Sequence, residues 1–320
     1  MRKVDENAFM YRIANMYYRD GISQSEIAQT EKVSRSQISR MLNKARAQGL
    51  VNITIRMPQQ PNTDRLQENV KSILGLKDVF VLPIDVTQYA NDDNLVGIKD
   101  AAELAAPIIS KLLSDCTMIG VGWGRSLYYL SLSVQRPDIS HCRTFVPLSN
   151  GFGQSCRYLQ PSIIANNFAE KFDAETFFLS LPNGPTDSNY WSLVDNSILE
   201  KVQALWNRLD GAIISLGPMN PAENIYYTEL LKTELSGIKI QPDICGEIVG
   251  MGFTKEGKAK PQSHDFIPCA YPIENLRKIK NAVAFAFGPS KVTPLYCAAK
   301  SGFFNILVTD ISTAKGLLGL

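Results

Sequence analysis

Apolar positions follow two rhythms along this chain. Through the first fifty residues they recur every three or four places, the spacing that lays a single stripe on a helix. Phe9, Ile13, Met16 and Tyr17 predict a helix over about residues 5–19, ended at Asp20-Gly21. Ser23-Gln24-Ser25-Glu26 reads as a capping box, in which hydroxyl and carboxylate satisfy each other's free backbone donors, and Ile27 and Ala28 follow on the inner face. Ser34-Arg35-Ser36-Gln37 opens a third helix in the same way, with Ile38, Met41, Leu42 and Ala45 inward and Gly49 at its end. Between the last two helices lies only Thr30-Glu31-Lys32-Val33. Leu50 to Arg56 alternates like a strand, either a wing or a lead into a Pro-punctuated linker at 58–62.

Beyond Thr63 the rhythm changes to apolar runs separated by helical stretches. A helix carrying Leu66, Val70 and Ile73 ends at Gly75, and a long one starts near Leu95. Strands are predicted at 78–82, 117–121, 144–147, 176–181, 212–216, 282–287 and 305–308. Short continuous apolar runs alternating with helices are what a parallel sheet covered on both faces requires. The expected class is therefore α/β: a helix-turn-helix domain over 1–57, the linker at 58–62, and a single larger α/β domain over 63–320.

Composition narrows the class further. With 45% hydrophobic and 20% charged residues the 320-residue chain is globular. Apolar runs such as Ala282–Phe287 are far shorter than the roughly 20 residues of a membrane span, and the first residues hold no signal-peptide core, so a cytoplasmic protein with no membrane partner is expected. Six cysteines without a C-x-x-C pair argue against a zinc site or a disulfide framework. Net charge is only +2, but residues 1–57 hold ten basic against five acidic groups while the rest is slightly acidic. A basic helical module on a faintly acidic body points to a polyanionic partner for the first part alone.

Two capped helices joined by so short a turn have the helix-turn-helix pattern, whose second helix enters the major groove. Its outward residues are Ser34, Arg35, Ser36, Gln37, Ser39, Arg40 and Lys44. Arg can pair with guanine and Gln with adenine, Ser reaches base or phosphate, and Lys suits phosphate. Double-stranded DNA is the expected partner; the bland alternative is a solvated basic face that docks other protein.

In open parallel sheets, ligands sit beyond the carboxyl ends of the strands. Gly120-Val121-Gly122-Trp123-Gly124-Arg125-Ser126 follows one predicted strand, Asn150-Gly151-Phe152-Gly153-Gln154 another and Gly288-Pro289-Ser290-Lys291 a third. Glycines admit close backbone approach, a helix N-terminus favours an anion, and Lys291 stands at the mouth of a helix. Arg125 occupies the last glycine position of a dinucleotide fingerprint, which disfavours NAD. Gly252 to Lys258 imitates a P-loop, but Ala259 replaces the magnesium-binding hydroxyl, and the segment reads better as a hairpin. His141 and His264 assemble no triad, and no cofactor or metal is expected.

Taken together, Val33–Leu42, Ile119–Ser126, Val146-Pro147-Leu148 leading into Asn150-Gly151, Ala165–Glu170, Asp243–Gly246 and Asn305–Asp310 are recognisable. The chain resembles, over nearly its whole length, the SorC family of bacterial sugar-responsive transcriptional regulators. The resemblance implies a sugar-isomerase-like body that binds a phosphorylated sugar or polyol without converting it. It places the effector at Gly122, Gly124, Arg125, Ser126, Gly151, Gln154, Asp243 and Lys291, and implies a homodimer or homotetramer on a palindromic operator. Arg125, Ser126 and Lys291 would hold a phosphate, and Asp243 and Gln154 the sugar hydroxyls. Asn150 and Gly288-Pro289 depart from the commoner glycines of the family. A rival reading makes the body a sugar-phosphate isomerase or deaminase with Asp243 or His264 as acid or base.

Overall fold

A computed structural model describes residues 3–51, 63–89, 95–151, 156–179, 196–218, 220, 224, 242–261 and 269–320. The chain divides into two compact units, Met1–Gln59 and Gln60–Leu320.

The first unit holds α1 (Lys3–Ala14), continued by a π-helical turn at Asn15–Arg19, then α2 (Gln24–Glu31) and α3 (Arg35–Ala47). The Ser23–Glu26 capping box is complete: Ser23 N donates to Glu26 Oε2 at 3.0 Å and Glu26 N to Ser23 Oγ at 3.3 Å. The second box is only half formed. Ser34 Oγ accepts from Gln37 N at 3.2 Å, but its neighbour on the other side is the Ser36 hydroxyl, 2.9 Å away. Lys32, at φ 52°, turns the chain between α2 and α3. Ile13, Ile27, Ala28, Ile38 and Leu42 close the core, with Phe9, Met16, Tyr17 and Met41 against them. Met10, Ala14 and Ala45 form a second small cluster with Tyr18. Leu50 and Val51 lie in no strand, and 52–62 lie outside the described residues.

The second unit is built on a seven-stranded parallel sheet. Its strands are β1 (Asp78–Leu82), β2 (Met118–Val121), β3 (Thr144–Pro147), β4 (Glu175–Thr176), β5 (Gly211–Ile214), β9 (Asn281–Phe285) and β10 (Ile306–Asp310), ordered β1-β10-β9-β5-β2-β3-β4. Strands β6 (Ile244–Ile248), β7 (Met251–Thr254) and β8 (Ala259–Pro261) form a separate antiparallel sheet. The P-loop imitation is therefore the β7–β8 hairpin, with Gly257 N donating to Thr254 O at 3.0 Å. The strands predicted at 78–82 and 144–147 are found unchanged, because a doubly covered strand is one uninterrupted apolar run. Two others end early: β5 stops at Ile214 and β9 at Phe285. The 176–181 prediction shrinks to β4, and 180–181 lie outside the described residues.

Helices cover the sheet: α4 (Asp64–Leu74), α5 (Leu95–Ser114), α6 (Arg125–Ser133), α7 (Pro161–Phe172), α8 (Asn196–Trp206), α9 (Val292–Lys300) and α10 (Ile311–Leu318). Phe168 stacks on Phe145 of β3 with centroids 5.7 Å apart, and Trp206 Nε1 donates to Pro147 O at 3.0 Å. From β2 the chain proceeds outward to β3 and β4, then returns to β5 on the other side of β2. That reversal opens a crevice at the carboxyl ends of the central strands.

Candidate functional site

The crevice is a cavity of about 570 Å³, in the range of small-molecule sites. Three strand ends build it. After β2 come Trp123, Gly124, Arg125 and Ser126; after β5, Ser215 to Pro218; after β9, Phe287 to Lys291. Glu247 of β6, Asn224 and Ile98 of α5 complete the wall.

Gly124 and Gly288 set its shape. At φ 122°, ψ 159° and φ 104°, ψ 151° both occupy a region that essentially only glycine enters, and each starts a helical turn, α6 and the 3₁₀ turn leading into α9. Two sets of helix-start N–H groups thus open toward one cavity, a favourable place for an anion. Beside them, Lys291 Nζ donates to Ser215 Oγ at 3.4 Å, and Ser126 and Ser215 are both buried. Burial, and then the neighbouring Arg125, pull the Lys291 ammonium down to about 8.

The acid of the cavity is Glu247. Its Oε1 accepts from Trp123 Nε1 at 3.1 Å and from the Gly250 backbone N–H. Burial pushes its carboxyl up to about 7, against those two donors, Lys291 and Asn224. The sequence reading missed it, because one acid inside Ile244-Cys245-Gly246-Glu247-Ile248 looks like an ordinary hairpin position. The available signal was its enclosure by apolar residues, where an acid needs partners.

Of the expected effector residues, Gly124, Arg125, Ser126 and Lys291 come together in this cavity. Gly122 lies beneath it: a Cβ there would stand 3.3 Å from Val249 and 3.4 Å from Ile213 O, so glycine serves strand packing. Gly151 is absent from the wall, and Gln154 lies outside the described residues. Asp243 stands elsewhere: it is half-exposed just before β6, ion-paired with Lys260, and is not among the residues lining the cavity. Glu247 lies four residues further on, about 13 Å along an extended strand.

On α3, Ser34, Arg35, Ser36 and Arg40 are exposed, while Gln37 and Ser39 are half-buried. Asn43, also exposed, shares a face with Ser36 and Arg40 by its spacing and belongs with them. Lys44 is ion-paired with Glu6 of α1, holding that carboxyl below its usual range, so its charge is already engaged. Arg46 lies over the Tyr18 ring at 5.8 Å. Among the described residues no cluster of His, Cys, Asp and Glu could hold a metal, and no helix is long and apolar enough to cross a membrane.

A sheet reversal with two glycine-started turns on one cavity, in a chain that begins with a capped helical module, defines the class as a small-molecule-binding protein. The family described as "Putative sugar-binding domain" matches residues 59–319. The chain belongs to this family, and over nearly its full length it is similar to transcriptional regulators of the SorC type. It is 23% identical to the sorbitol operon regulator of Klebsiella pneumoniae, covering 99% of this chain and 100% of that one. It is 22% identical to the deoxyribonucleoside regulator of Bacillus subtilis (strain 168), covering 95% of each. The crystal structure of the full-length sorbitol operon regulator SorC superposes with a TM-score of 0.64 at 22% identity, over 98% of this chain and 99% of that one. A transcriptional regulator from Streptococcus pneumoniae TIGR4 gives 0.65 at 22% identity, over 80% and 96%. These relatives are named as regulators, not enzymes, and the isomerase reading is set aside.

Proposed function

We propose that this chain regulates a carbohydrate-utilisation operon in the cytoplasm, and that a phosphorylated sugar or polyol in the body changes its operator affinity. The observation that carries the proposal is the cavity, where Arg125, Ser126, Lys291 and two glycine-started turns converge. A phosphate there receives backbone N–H groups, a hydroxyl and cationic side chains at once. Residues 1–57 are the operator-binding module, 58–62 the linker, and 63–320 the effector-binding and oligomerisation domain. Ser34, Arg35, Ser36, Gln37, Ser39 and Arg40 face the DNA, whereas Lys44 serves chiefly to lock α3 to α1 through Glu6.

One helix of six such residues makes few phosphate contacts, so a homodimer or homotetramer on a two-fold operator supplies the affinity. Effector and operator are coupled when the effector favours one arrangement of the assembly over another.

The test is a salt-controlled operator-binding titration with and without sugar phosphates. Arg40→Ala is expected to weaken operator binding and to lower the salt slope by about one. Lys291→Ala is expected to leave operator binding intact and to blunt the effector dose response. Unchanged operator affinity in the first variant removes α3 from the interface, and an unaltered dose curve in the second removes Lys291 from the effector site.

A further inference from the structure

The cavity has a second chemical pole, opposite in sign to the one that holds the phosphate. Glu247 lies in its wall with only 4% of its surface exposed. Its carboxyl is fixed in orientation by the Trp123 indole and the Gly250 N–H on Oε1. Its backbone pairs in both directions with Gly217, at 2.9 and 3.1 Å. A Cβ on Gly217 would stand 2.3 Å from Glu247 Oε2, so glycine is what allows the carboxyl to lie against the loop after β5.

That loop carries both poles. Ser215 accepts from Lys291, and Gly217, two residues on, abuts Glu247. Two residues of chain reach at most about 7 Å, so the two anchoring positions of this loop lie within the span of one sugar ligand. An acid buried in an apolar strand is costly unless its lone pairs are used. Trp123, Gly250 and Asn224 use some of them, and the cavity offers the rest to a ligand.

We propose that Glu247 is the specificity-determining acid of this cavity: it accepts hydroxyl hydrogens from the end of the ligand remote from its phosphate and excludes ligands with a carboxylate at that end. The inference rests on the phosphate reading above and adds a requirement for the other end of the molecule. A neutral polyol or sugar phosphate satisfies both poles. An aldonic acid phosphate of equal size satisfies one and sets two carboxylates against each other at the second.

The experiment is calorimetric titration of the full chain with glucitol 6-phosphate, gluconate 6-phosphate, inorganic phosphate, free glucitol and free gluconate. The wild type is expected to favour the glucitol over the gluconate phosphate by about ten- to hundredfold, the worth of a hydrogen bond to a charged group. Glu247→Gln is expected to reduce or invert that ratio while retaining binding of inorganic phosphate. Glu247→Asp keeps the charge and is expected to keep the exclusion, and tryptophan fluorescence melting verifies that both variants fold. A ratio that is the same in wild type and Glu247→Gln overturns the role of Glu247. Binding of the free but not the phosphorylated compounds, with the ratio still lost in Glu247→Gln, overturns the phosphate reading and keeps Glu247. No binding of any probe overturns both.

Discussion

Asp310 gives the sharpest test of how the ligand turn is held. It is fully buried at the end of β10 and caps α10: Oδ1 accepts from Thr313 N at 3.1 Å, and Oδ2 from Val86 N at 3.0 Å and Ser312 Oγ at 2.5 Å. Thr313 in turn accepts from Gly288 N at 2.7 Å, so the turn that lines the cavity hangs from the residue Asp310 caps. Asp310→Ala removes a helix N-cap, worth about 0.5–2 kcal/mol. It also strands the buried Val86 N–H, which costs about 1–3 kcal/mol. The expected loss is about 1.5–5 kcal/mol. Asp310→Asn keeps an acceptor for Thr313 but turns an amide donor toward Val86 N–H, and it is expected to lose only the second part.

Urea unfolding followed by tryptophan fluorescence measures this cleanly, because Trp123, Trp191 and Trp206 are the only tryptophans and all lie beyond residue 59. The helical module is silent in that signal. A loss below about 1 kcal/mol for Asp310→Ala, or equal losses in the two variants, refutes the reasoning.

Two further outcomes follow from the cavity. Gly288→Ala forces a side chain onto φ 104°, costing about 1–3 kcal/mol, and is expected to weaken glucitol 6-phosphate binding; unchanged calorimetric affinity would show that the turn tolerates a Cβ. Phosphate affinity is expected to fall as pH rises from 6.5 to 9, because Glu247 gains negative charge near 7 and Lys291 loses positive charge near 8, both changes making the cavity less favourable to an anion. Glu247→Gln should erase the lower step alone, and a flat calorimetric profile over that range counts against both assignments.

The sheet was legible because its central strands are buried on both faces, and the turns after β2 and β9 because glycine marks the conformation they need. The ends of β5 and β9 were not. Leu216 and Phe287 continue the apolar runs while lining a cavity wall, and hydrophobicity cannot distinguish a wall from a sheet. The Lys44–Glu6 pair joins residues 38 positions apart, and no local pattern announces such a partner. Gln37 illustrates a different failure: the box spacing was present and its backbone N–H reaches Ser34 Oγ, but its side chain does not return to the Ser34 N–H. Asp243 stands just before the strand that holds Glu247, and choosing between them required knowing that this strand meets the cavity near its far end, where Gly217 pairs with it.

The pairing of β1 with β10 orders events during synthesis. Asp78 meets Ile306 and Leu82 meets Asp310, so the first strand of the body waits for its neighbour until the chain through Asp310 has left the ribosome. Contacts this distant in sequence form slowly, whereas the module before residue 60 closes its core among helices a few dozen residues apart. The nascent chain therefore carries a finished helical module well before it owns a cavity. Its unpaired β1 edge is exposed throughout that interval, which makes the half-made body the species most prone to aggregate when synthesis stalls.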